Sequence, residues 1–78
     1  MAGEIEIYIS VGTKSGKTWR PVSAILRRDD VYEILGVNPT PGLEEWPFDR
    51  GDLVRCRPYE LTDSDLVLVA YEKVDRIA

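Results

Sequence analysis

Apolar and polar residues alternate without interruption over residues 4–11, with Ile5, Ile7, Ile9 and Val11 falling on one face. A period of two with β-branched residues predicts a half-buried β-strand. Residues 17–26 predict a second strand, with residues 12–16 as the turn between them. Which way the second strand faces depends on turn length, because a slip of one residue reverses every side chain. A five-residue turn sets Trp19 opposite Ile9 and points it inward. A four-residue turn sends Val22, Ala24 and Leu26 inward and puts Trp19 outside, beside Tyr8. Pro21 cannot donate to a ladder, so a bulge at Arg20-Pro21 is expected, turning both Trp19 and Val22 inward.

A polar turn over residues 27–30 leads into a third strand, residues 31–35. The same segment is short enough to be a helical turn capped by Asp29 or Asp30, but its strand-forming residues and the tight preceding turn favour a meander. Residues 38–52 hold three prolines and two glycines and predict one long loop. Loops well beyond about 4–6 residues are usually functional or disordered. Leu43, Trp46 and Phe48 supply anchors against disorder. A fourth strand is expected over residues 53–57, ending before Pro58. After a turn at residues 62–65, a fifth follows over residues 66–73, apolar on both faces.

Five short strands, tight turns and one long loop define an all-β chain: a small five-stranded antiparallel barrel or strongly bent sheet, SH3-like rather than OB-like at this length. Residues 1–78 read as one domain. At this size the stability margin is on the order of a few kcal/mol.

Composition narrows function mainly by exclusion. The chain has one cysteine, Cys56, and no histidine, so neither an intrachain disulfide nor a four-ligand structural zinc site can form. No metal or cofactor is expected. The longest apolar run is far short of the roughly 20 residues that span a bilayer. Glu4 and Glu6 stand where an export signal would be basic, so a soluble, cytoplasmic protein is expected. The net charge of −4 is unevenly spread: residues 1–28 carry five bases and two acids (+3), and residues 29–78 carry five bases and twelve acids (−7). Overall acidity disfavours duplex nucleic acid, which demands clustered Lys and Arg.

Three short motifs resemble functional signatures. Residues 12–19, GTKSGKTW, resemble a phosphate-binding loop after a strand. That loop needs four residues between its glycines and a following helix. Here three residues separate Gly12 from Gly16, and Pro21 continues a strand, so a hairpin turn is expected. Residues 32–37, YEILGV, resemble the opening of J-domain co-chaperones over six residues. The His-Pro-Asp signature of that family cannot exist in a chain without histidine, and no assignment follows. Arg50-Gly51-Asp52 is the tripeptide of cell-adhesion ligands, read here as a turn into the fourth strand.

Catalysis has few candidates. Without histidine, a base near neutral pH must be a perturbed carboxylate or lysine. The pairs Asp29/Asp30, Glu44/Glu45 and Asp63/Asp65 all sit in turns or loops, where exposure keeps them ordinary. Cys56, flanked by Arg55 and Arg57, shares parity with Val54 and reads as a buried core thiol. A non-enzymatic binding or assembly module is therefore expected. Its candidate surface is Trp46, Phe48, Arg55, Arg57 and Tyr59, and its partner another protein or a second copy of itself. The first strand, poor in charge beyond Glu4 and Glu6, is the edge expected to pair with that copy. The alternative is a single-strand nucleic-acid binder using the same arginines and aromatics with Lys14, Lys17 and Arg20. If Arg55 and Arg57 instead pair with acids across the sheet, they only solubilise that face.

Overall fold

In the computed structural model, which describes residues 3–62 and 65–74, the chain is a closed five-stranded barrel. No helix occurs among the described residues, and none is long and apolar enough to cross a membrane. The strands are β1 (Glu4–Thr13), β2 (Gly16–Arg28), β3 (Val31–Ile34), β4 (Leu53–Thr62) and β5 (Asp65–Val74). Each pairs antiparallel with the next, and β5 closes on β1 through a parallel contact at Tyr8↔Val69. An odd number of strands running alternately up and down leaves the first and last pointing the same way. The barrel is thus mixed rather than wholly antiparallel, and remains compatible with the SH3-like expectation.

The β1–β2 hairpin corrects the expected bulge. Its register is continuous from Glu4↔Ile25 to Thr13↔Gly16, leaving a two-residue turn, Lys14-Ser15. Gly16 takes up the left-handed backbone (φ 126°) that closes the turn. The Thr13 hydroxyl donates to Gly16 O at 3.0 Å and accepts from Ser15 N–H at 3.2 Å. An even turn gives the outward parity for Trp19: it stands opposite Ser10, while Val22 and Ala24 stand opposite Ile7 and Ile5.

Inside the barrel, Ile7, Ile9, Val11, Val22, Ala24, Ile34, Val54 and Cys56 form one buried cluster. Tyr32, Trp46, Phe48, Leu68 and Ala70 pack against it. The long loop, residues 35–52, contributes two of these side chains. It is tied to β1 by paired backbone bonds between Gly12 and Glu45, 2.9 Å each way.

β3 is four residues long, whereas its neighbours have 13 and 10. It pairs with β2 only from Ala24 onward and with β4 only at residues 53–55. Each neighbour therefore has a segment with one edge unpaired by β3. Leu35 N–H donates to Ser23 O, and Cys56 N–H donates to Asp30 O, both at 2.9 Å. Backbone groups alternate sides along a strand, so positions 21 and 58 direct their nitrogens to the same open edges as 23 and 56. Pro21 and Pro58 occupy those two positions, where the missing N–H breaks no ladder bond. For this reason β4 does not stop before Pro58 but runs on to Thr62. β1, expected as an edge, is flanked on both sides by β2 and β5.

Candidate interaction surface

The two tryptophans, four tyrosines and one phenylalanine divide by strand parity. Tyr32, Trp46 and Phe48 pack against the core. Tyr8 and Trp19 alternate with buried Ile7, Ile9 and Val11 or stand opposite outward positions, and so face out. Tyr59 lies two residues beyond Arg57, on the face opposite buried Val54 and Cys56. Tyr71 is the extra residue of a bulge: Arg55 pairs with Glu72 and Cys56 with Ala70, leaving Tyr71 unmatched. Its ring lies under the Arg57 guanidinium, 4.7 Å from centroid to Cζ, which places it on the same outer face.

The outer aromatics form contacts of their own. Trp19 and Tyr59 rings lie 5.4 Å apart at a tilt of 45°. Leu68 and Ala70 pack against the core, so Val69 between them points outward, yet it is only 3% exposed. Its strand neighbours are Tyr8 on one side and Arg57 on the other. Val69 is thus covered from outside at the β1–β5 seam. Tyr59 and Tyr71 stay 45% and 44% exposed on the outer face.

The five residues expected to share a surface separate into three environments. Trp46 and Phe48 are half-buried against the core. Arg55 is held by Asp30 and Glu72, each at 3.2 Å, and Glu72 is its cross-strand partner. Arg57 and Tyr59 remain on the outer face, joined there by Tyr8, Trp19 and Tyr71. The outward parity of Tyr8 was readable from its alternation with the isoleucines. That of Trp19 needed the turn length, and that of Tyr71 needed the bulge.

The loop is secured where Glu44 meets Arg20. Their side chains form a bidentate ion pair, and Trp46 Nε1–H donates to Glu44 Oε1 at 3.1 Å. The Glu44 side chain is only 10% exposed. Hydrogen bonds from Arg20 and then Trp46, with the Arg20 charge, hold its carboxyl below the ordinary value. Asn38 Nδ2–H donates to Glu44 O at 2.9 Å. The Asp52 carboxylate of Arg50-Gly51-Asp52 accepts from Asp49 N–H at 2.7 Å. That bond commits it to the turn preceding β4.

Among the described residues, the carboxylate pairs offer no convergent acid and base. Asp30 faces Arg55, Glu44 faces Arg20, and Asp63 lies outside the described residues. Among the described residues, no group of three or more Cys, Asp or Glu is placed to hold a metal ion. The Cys56 thiol is 4% exposed, and burial, aided by Asp30, pushes its pKa up to about 12. The flanking arginines do not activate it.

Compared with protein-family models, curated proteins and solved structures, the chain matches none.

Proposed function

We propose that this chain is a non-enzymatic binding module that engages another protein, or a second copy of itself, through the outer face carrying Tyr8, Trp19, Arg57, Tyr59 and Tyr71. The observation that carries this reading is the placement of four of seven aromatics outside the core, with Trp19 against Tyr59 and Tyr71 under Arg57. Protein contact surfaces are enriched in Trp, Tyr and Arg, whose large rigid areas bind at low entropic cost. The lone thiol, buried and without a disulfide partner, supports a reducing, cytoplasmic setting. Exposed aromatic rings close to an arginine are also what single-stranded nucleic acid stacks on, and this is the second reading.

The test combines Arg57→Glu with Tyr59→Ser, checked by circular dichroism to retain the barrel. Partner capture from a nuclease-treated extract, and self-association by light scattering, should both be compared with the native chain. Loss of either in the variant supports the outer face. If both are unchanged, the face is the wrong one. Binding of a labelled oligonucleotide at low salt, lost in the variant, would replace the protein reading with the nucleic-acid one.

A further inference from the structure

We propose that the open edge of β2, residues 16–21, accepts a short, extended acidic peptide as an added strand. This site adjoins the outer aromatic face and shares Trp19 with it, whose ring meets Tyr59 across the same gap, but what it offers a partner is main chain rather than side chain. Ser23 O is already taken by Leu35 N–H, and Gly36 sits against Val22, where a Cβ on it would lie 3.5 Å from Val22 Cβ. The segment after β3 therefore covers the edge as far as Val22 and then departs. By alternation from Ser23, the N–H and C=O of Lys17 and Trp19, and the C=O of Pro21, point out of the sheet on that side. β3 pairs with β2 only from Ala24 onward, and among the described residues no loop backbone bond reaches them.

Two donors and three acceptors in ladder spacing recognise one kind of partner, an extended backbone. Pro21 limits its length, since a donor is missing at that end.

Charge selects the partner further. Residues 7–28 contain Lys14, Lys17, Arg20, Arg27 and Arg28 and no acid at all. Arg20 is engaged by Glu44 and Arg27 by Glu33. Lys14 and Lys17 form no ion pair among the described residues. Both lie on the hairpin segment that borders the open edge. Glutamate or aspartate on an incoming strand complements them, whereas a basic strand is repelled.

The experiment titrates the native chain with a capped decapeptide of alternating glutamate and valine, and with its lysine–valine counterpart. Amide exchange is read residue by residue. Expected are slowed exchange at Lys17 and Trp19 with the acidic peptide only, and weaker binding as salt rises. Trp19→Pro removes one edge-facing N–H and should weaken the peptide roughly tenfold beyond Trp19→Ala, the scale of one hydrogen bond. Lys17→Gln should weaken it more modestly. Unaltered exchange at both amides overturns the proposal, as does equal binding of the basic peptide. Equal affinity of the Pro and Ala variants overturns it too. A dimer by light scattering that Trp19→Pro alone dissolves would assign the edge to a second copy instead. The exchange readout uses the native chain and stands even if Trp19→Pro does not fold.

Discussion

Trp19 and Tyr59 bring β2 and β4 into side-chain contact, rings 5.4 Å apart, although no backbone pairing joins those two strands. The contact lies at the level that β3, four residues long, does not reach, and neither ring belongs to the inner cluster. Tilted aromatic pairs contribute about 0.5–1.5 kcal/mol beyond the area they bury.

A double-mutant cycle of Trp19→Ala and Tyr59→Ala, measured by urea unfolding, should therefore show a coupling of about 0.5–1.5 kcal/mol. Each single variant should leave the far-ultraviolet spectrum unchanged, because neither side chain belongs to the inner cluster. Additive effects would mean that the two rings do not rest on each other in solution.

Cys56 yields a second prediction. Its thiol is buried, and its pKa is raised to about 12. The native protein should react very slowly with a disulfide reagent at pH 8, and promptly once denatured. The raised folded value also fixes the sign of a pH effect. The folded state keeps this proton where the unfolded thiol, near its ordinary 9.0, has lost it. The resulting stability is complete below pH 9 and declines as pH climbs toward 12, at no more than about 1.4 kcal/mol per pH unit. Tyr32 is raised as well, by burial first and then by Cys56 and Asp30, and adds to the decline. Cys56→Ala should flatten part of this alkaline slope in unfolding curves taken at successive pH values. An unchanged slope would remove the thiol from the account.

How much of this was legible in the sequence follows from how local each signal is. Strand β1 is written in the alternation of its isoleucines, and β3 in residues 31–34 after an Asp-Asp turn, so both stand nearly where expected. The loop was legible from its prolines, and Trp46 and Phe48 as its anchors, whereas Leu43, expected as a third, is 63% exposed. The loop's partners were not legible. Arg20 sits 24 residues from Glu44, and nothing in one sequence announces that pairing.

The two prolines misled for a single reason. Pro21 and Pro58 read as a bulge and a strand end, because a missing N–H normally breaks a ladder. It breaks nothing where the adjacent strand is too short to reach, and the reach of β3 is a property of the assembled sheet. The candidate surface shifted for a similar reason. Arg57 and Tyr59 were found by local parity, while Trp19 depended on a turn two residues long and Tyr71 on an unpaired position in β5.

The Glu44 carboxyl links the loop to the barrel, and its depressed pKa makes that link sensitive to acid. Arg20 and Trp46 donate to the ionised form, so the folded state holds this proton less tightly than the unfolded chain, whose carboxyl titrates near 4.5. The stabilisation is complete above that value and is lost as pH falls through the lower folded pKa. Glu44→Gln should lower the thermal midpoint at pH 7, and its difference from the native chain should shrink steadily as the pH is taken from 5 to 2. In a Trp19→Phe background, Trp46 is the sole tryptophan, and its emission should shift red over the same acid interval as its indole loses its acceptor and the loop loosens. A constant difference between native and Glu44→Gln across that range would show that ionisation of this carboxyl contributes nothing to holding the loop, leaving it to the Gly12–Glu45 backbone bonds and the packing of Trp46 and Phe48.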